Sequence, residues 1–134
     1  LRQILVVDDS KMQRKRICEF LQIQGYNTEE AGDGFEALKA ADKANFSAFF
    51  VDIQMPLMDG YEFIENLRKS SSYKSTPVFV ISGGHVKKDT ILTRLEDLDV
   101  SNFYEKPVDL NSLLTELDIK LSIINEDLQS EKEE

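Results

Sequence analysis

Acidic side chains follow short apolar runs at separate places in this chain, and a lysine follows another. Ile4-Leu5-Val6-Val7 leads into Asp8-Asp9, Phe49-Phe50-Val51 into Asp52, and Phe103-Tyr104-Glu105 into Lys106-Pro107. If these runs are parallel strands lying side by side, their C-terminal ends deliver three carboxylates and one ammonium into one crevice. Clustered carboxylates oppose one another's ionisation unless a cation sits among them. An all-oxygen donor set suits a hard divalent ion such as Mg²⁺, and an ion held there suits phosphoryl chemistry.

The elements around these residues are expected to alternate between strand and helix, the pattern of βαβ units and a parallel sheet. Strand one covers Gln3–Val7. Helix one starts from Ser10 as N-cap, with Gln13 at the reciprocal position of a capping box, and ends at Gly25. Its buried stripe is Ile17, Phe20, Leu21 and Gln24. Strand two is expected near residues 27–30. Asp33-Gly34-Phe35-Glu36 opens helix two, with Phe35, Leu38 and Ala41 facing inward. Strand three covers residues 48–51, and Asp59-Gly60-Tyr61-Glu62 opens helix three, with Phe63, Ile64 and Leu67 on its core face.

Ser70 to Thr76 reads as a loop, and strand four follows at residues 78–81. Gly83-Gly84 is a hinge before helix four, around residues 87–98, and strand five lies near residues 101–105. Helix five runs from Leu110 with Leu114, Leu117, Leu121, Ile124 and Leu128 at alternating steps of four and three. Strict alternation gives an α/β fold, a flavodoxin-like doubly wound five-stranded parallel sheet in the order 2-1-3-4-5 with helices on both faces. In that order strands one and three are neighbours at the topological switch point, where Asp8, Asp9 and Asp52 end them.

At 134 residues, 41% hydrophobic and 31% charged, the chain is long enough for one domain with a sizeable core. Residues 1–128 are expected to form it, with 129–134 an acidic tail or the start of a linker. The chain opens on Leu1 rather than Met, so neighbouring domains are expected beyond it. A net charge of −9 argues against a nucleic-acid surface, which needs a basic stripe. The single cysteine, Cys18, excludes an intrachain disulfide and suits a reducing, cytoplasmic location. No run of about 20 apolar residues is present to span a membrane.

Taken singly, each motif is weak; their order along one sheet edge is what makes them informative. The strings Ile4-Leu5-Val6-Val7-Asp8-Asp9-Ser10 and Ala31-Gly32-Asp33-Gly34-Phe35-Glu36-Ala37-Leu38 come first. Val51-Asp52-Ile53-Gln54-Met55-Pro56-Leu57-Met58-Asp59-Gly60, Pro77-Val78-Phe79-Val80-Ile81-Ser82 and Lys106-Pro107 follow. Together they resemble the receiver domain of a two-component response regulator, over residues 3–125.

The resemblance implies that Asp52 is the phosphoacceptor and that Mg²⁺ is the cofactor. Asp9, Asp52 and the backbone carbonyl of Gln54 would ligate the ion, and Asp8 would act through a water on it. Lys106 would pair with the phosphoryl group, Ser82 would donate its hydroxyl to it, and Phe103 would be the aromatic that changes rotamer on activation. The implied partners are a histidine kinase or histidine phosphotransfer domain and a downstream effector, with no direct nucleic acid and no membrane. Helix five, or the face of helix four, strand five and helix five, is where output or a homodimer is expected. The chain would catalyse only its own phosphoryl transfer and slow autodephosphorylation. Gln54 and Gly84 occupy positions that tune that hydrolysis in the family, and Gly83 stands where alanine is commoner.

Other readings differ at nameable residues. A degenerate receiver acting by contact alone would not be expected to keep Asp8, Asp9, Asp52, Ser82 and Lys106 together. A Mg²⁺-dependent phosphohydrolase with an aspartyl nucleophile usually has a second acid where Gln54 stands. A flavin carrier would want hydroxyl and glycine donors where Asp8-Asp9 would repel phosphate. Lys11, Arg14, Lys15 and Arg16 form a basic run that either steers a partner or is a solvated face. His85 is expected to be solvated.

Overall fold

The computed structural model describes the backbone of residues 2–133 and the side chains of residues 2–122. In chain order the elements are β1 (Gln3–Val7), α1 (Lys11–Ile23), β2 (Asn27–Ala31), α2 (Gly34–Lys43), β3 (Ala48–Asp52) and α3 (Gly60–Lys69). A 3-10 turn at Ser71–Tyr73 precedes β4 (Val78–Ser82), α4 (Lys88–Leu95), β5 (Asn102–Glu105) and α5 (Leu110–Glu133). The strands pair in parallel in the order β2-β1-β3-β4-β5.

Strand periodicity of two explains why the central strands are apolar at nearly every position. Leu5, Val7, Phe49, Val51, Val78 and Val80 face one core with Ala37, Ile64 and Ile91 from α2, α3 and α4. Ile4, Val6, Phe50, Phe79 and Ile81 face the other with Ile17 and Leu21 of α1 and Leu113 and Leu117 of α5. Both faces are covered, so neither can be polar.

Three helices begin as the sequence dictates. Ser10 Oγ accepts from the Gln13 N–H at 3.3 Å, Asp33 Oδ1 from Glu36 at 2.8 Å and Asp59 Oδ1 from Glu62 at 2.9 Å. The capping box at Ser10 is only half formed. The Ser10 N–H donates to Asp8 Oδ1 at 2.9 Å, and Gln13 Oε1 is left buried without a partner. A carboxylate is the stronger acceptor, so it takes the bond that the glutamine amide would have received. Gly25 closes α1 at φ +96°, a backbone region that favours glycine.

Several expectations about helix faces are corrected. Gln24 is the exposed C-cap of α1, and Cys18 completes the buried stripe in its place. Phe35 is 52% exposed. Gly34, Ala37 and Ala41 form the face of α2 that packs inward, and Phe35 lies about 100° round the helix from Gly34. Among the described side chains of α5 the buried ones are Leu113, Leu117 and Leu121, while Leu110 and Leu114 are only partly covered. Ile124 and Leu128 lie outside the described side chains. The backbone of α5 continues to Glu133, through the stretch expected to be tail or linker. Helix four is shorter than expected, at Lys88–Leu95.

The segment read as plain loop before β4 is anchored. The Tyr73 hydroxyl lies 2.8 Å from the Ala41 carbonyl and 2.7 Å from that of Ala44, the end of α2. Arg68 of α3 reaches the carbonyls of Leu98 (2.9 Å), Tyr73 (2.7 Å), Thr76 (2.7 Å) and Asp99 (2.8 Å). One guanidinium thereby ties the approach to β4 to the approach to β5. Arg68→Ala strands four carbonyls together and is expected to lower unfolding free energy by about 2–4 kcal/mol, read by urea denaturation. A loss below about 0.5 kcal/mol would contradict this role.

Candidate functional site

Sheet register alone brings the chemistry-bearing residues to one edge. Val7 pairs with Val51 across β1 and β3, so Asp8 and Asp52 emerge side by side. Ser82 pairs with Glu105 across β4 and β5, and the Lys106 N–H donates to the Ser82 carbonyl at 2.8 Å. Lys106 is therefore delivered to the same rim, and the Lys106-Pro107 peptide is cis. Gly60 at the start of α3 presses on the acceptor strand. A β-carbon there would fall 2.5 Å from the Asp52 carbonyl oxygen, so only glycine permits the approach.

Asp8 and Asp52 are buried, Asp9 is exposed, and one carboxylate oxygen from each lies within 4.8 Å of the others. Lys106 Nζ sits 3.0 Å from Asp8 Oδ2 and 3.0 Å from Asp52 Oδ2. Only the contact to Asp52 is directed as a hydrogen bond, which leaves Asp8 Oδ2 a buried acceptor without one. The other oxygen of each carboxylate is fixed by backbone: Ser10 N–H on Asp8 Oδ1, and Gln54 N–H on Asp52 Oδ1 at 3.0 Å. Three carboxylates against one ammonium leave an excess of two negative charges, which a divalent cation would cancel. The Asp8 oxygen that lacks a directed hydrogen bond and the all-oxygen donor set both fit such an ion.

Burial and then the Asp8 charge push the Asp52 carboxyl up to about 7, against the opposing pull of the Gln54 N–H and Lys106. Burial alone would pull the Lys106 ammonium down, but Asp52 and Asp8 together hold it above its ordinary value. Without a further cation, then, the acceptor is poised between acid and carboxylate at neutral pH.

The remaining candidates lie near this cluster but are not part of it. Ser82 is fully buried, and its hydroxyl donates to the Gly83 carbonyl at 3.0 Å. Phe103 is partly buried and borders a groove of about 520 Å³ between α4 and β5, with Leu92, Leu95 and Val100. Of the basic run, Arg14 bonds the Asp8 carbonyl at 2.6 Å and Glu30 at 3.1 Å, and Arg16 bonds the Val108 carbonyl at 3.0 Å. Those two are structural ties; Lys11 and Lys15 are exposed. Sequence reading missed the Ser10 and Gln54 backbone donors, because no side-chain pattern reports where a loop N–H points.

The raised Asp52 carboxyl has a pH consequence. Its ordinary value is 3.8, so between about 4 and 7 the native state holds a proton that the unfolded chain has released. Stability must therefore fall as pH rises through that window. In divalent-free buffer, Asp52→Asn is expected to gain roughly 1–3 kcal/mol over the wild type between pH 4 and pH 8, and added Mg²⁺ should narrow the gap. A difference constant across that range, measured by urea denaturation, would contradict the electrostatic reading.

Comparison with known proteins agrees with this geometry. The family model described as "Response regulator receiver domain" matches residues 4–118. The chain is 34% identical over 113 residues to the "Probable transcriptional regulator ycf29" of Pyropia yezoensis, covering 84% of this chain and 50% of that one. It thus spans about half the length of that relative. It is 33% identical to Protein PilG of Pseudomonas aeruginosa, covering 84% of this chain and 82% of the relative. The solved structure of the chemotaxis response regulator CheY4 of Vibrio cholerae superposes with TM-score 0.80 at 33% identity, over 88% of this chain and 97% of that chain. Among the described residues, no helix is long and apolar enough to cross a membrane. The fold, the matched span and these relatives place the chain in the response regulator receiver domain family of two-component signalling.

Proposed function

We propose that this receiver is a phosphorylation-dependent switch that takes a phosphoryl group from a phosphohistidine donor onto Asp52. The observation that carries the reading is the placement of Asp52: one oxygen held by the Gln54 N–H, the other against Lys106, with Asp8 and Asp9 alongside.

In the transfer, an Asp52 carboxylate oxygen bonds to phosphorus as the P–N bond of the donor breaks, and the imidazole keeps the electron pair. The transition state is loose and its charge is spread over the equatorial oxygens, so positioning and cations dominate. Asp9, Asp52 and the Gln54 carbonyl would hold Mg²⁺, with Asp8 acting through a water; when bound, the ion supplies charge neutralisation and orientation to the phosphoryl oxygens. Lys106, a point charge on a flexible stem, would follow those oxygens once Asp52 is esterified. Ser82 would exchange its Gly83 partner for a phosphoryl oxygen, and Phe103 would move into the space so released. Output would then be carried by the α4, β5 and α5 face, where an effector or a second copy docks. The donor would be a histidine kinase or a histidine phosphotransfer domain, met in the cytoplasm. The chain would catalyse only its own transfer and its own slow dephosphorylation.

Incubation with Mg²⁺ and a small acyl phosphate is expected to give one base-labile phosphoryl adduct by intact mass. Asp52→Asn and chelation of divalent ions should each abolish it. Lys106→Ala should slow its formation by roughly 10- to 100-fold, the scale of losing one well-placed charge in the transition state. An adduct that persists in Asp52→Asn would overturn the assignment.

A further inference from the structure

Asp9 is exposed, and no ion pair among the described residues involves it. Its carboxylate nonetheless keeps an oxygen within 4.8 Å of oxygens from Asp8 and Asp52. That placement must come from the backbone, and the backbone here is gripped. Arg14 of α1 donates from Nη1 to the Asp8 carbonyl at 2.6 Å, while its Nε–H reaches Glu30 Oε1 at 3.1 Å. The Asp8 carbonyl belongs to the peptide that joins Asp8 to Asp9. A peptide unit is planar, so orienting that oxygen orients the Asp9 N–H and Cα with it. The guanidinium is itself held in place. Its side chain is only 16% exposed against Glu30 of β2, and a β-carbon on Gly32 would lie 3.5 Å from Nη1. A planar fork with two fixed partners sets a direction better than a single ammonium could.

We propose that Arg14 is a positioning residue for the divalent-ion site: its grip on the Asp8 carbonyl keeps the Asp9 carboxylate within reach of an ion shared with Asp52. The inference rests on the reading of Asp8, Asp9 and Asp52 as a Mg²⁺ site, and adds a residue that touches neither the ion nor the phosphoryl group. Its charge and its geometry act in opposite directions. A cation beside the cluster repels a second cation, and removing it would leave the Glu30 carboxylate bare. Charge alone therefore predicts tighter Mg²⁺ binding without Arg14. Loss of the grip instead frees the Asp8–Asp9 peptide, and an ion that must order it again binds more weakly. Mg²⁺ demands near-ideal octahedral geometry, so the second effect decides.

The metal-free chain is titrated with Mg²⁺, and the dissociation constant is read from backbone amide shifts. Arg14→Ala and Arg14→Gln, both tolerated within a helix, are expected to raise it at least about threefold. Lys11→Ala removes an exposed cation from the same helix, so there the constant should stay the same or fall. Amide shifts of the metal-free Arg14 variants should match wild type away from residues 8–10 and 30–32, which separates a local release from loss of structure. In phosphorylation by a small acyl phosphate, the Mg²⁺ concentration for half-maximal rate should rise by a larger factor than the saturated rate falls. An unchanged or smaller dissociation constant in the Arg14 variants would overturn the proposal, as would an equal rise in Lys11→Ala. A wild-type chain without saturable Mg²⁺ binding would instead overturn the metal reading, and this inference with it.

Discussion

A single ammonium shared between two buried carboxylates governs this molecule. Lys106 leaves the end of β5, yet its Nζ meets oxygens from the ends of β1 and β3, with two strands and one strand lying between. That contact exists only because the sheet is parallel and in one register. A slip of a single residue in β1 or β3 would turn Asp8 or Asp52 to the opposite face. β3 and β4 are buried throughout and apolar up to their last residues, Asp52 and Ser82, so the polar groups of these strands fall only at their C-terminal ends. The hydrophobic core therefore fixes the electrostatics of the site, and the site's excess negative charge is the strain that the core withstands.

The same logic accounts for where the structure is firm and where it is free to respond. Around the acceptor, Gly60 presses on the Asp52 peptide and five residues of α3 are buried. Arg68 binds the lower loops together through backbone carbonyls. By contrast α4 has eight residues, no side-chain cap at Lys87, and only Ile91 and Leu95 buried. Its other tie is Arg94, whose guanidinium lies 3.7 Å above the Tyr61 ring. An element held so lightly belongs to the low-stability end of the molecule. It borders the groove beside Phe103 and follows the loop that carries Ser82 and Gly83, so under the proposed switch a charge change at Asp52 would act on the part least able to resist it.

Much of this was legible in the residues themselves. Asp8, Asp9, Asp52 and Lys106 could be placed because the C-terminal ends of parallel strands are geometrically equivalent positions. The caps Ser10, Asp33 and Asp59 could be read because their side chains do local work. What escaped was set by tertiary competition. The Ser10 N–H went to Asp8 rather than Gln13, a choice that depends on where the β1 end lies. Phe35 faced outward because Gly34, Ala37 and Ala41 let α2 pack closely, and apolar character alone does not choose between faces. Leu113 rather than Leu114 lines the core because α5 presents residues four apart, not the four-and-three seam.

The central claim is that three carboxylates from two strand ends share one divalent ion against Asp52. Titration of the metal-free chain with Mg²⁺, followed residue by residue through backbone amide chemical shifts, tests it most directly. Saturable one-to-one shifts centred on Asp8, Asp9, Asp52 and Gln54 are the predicted result. Absence of saturable binding, or shifts centred away from this edge of the sheet, would contradict it.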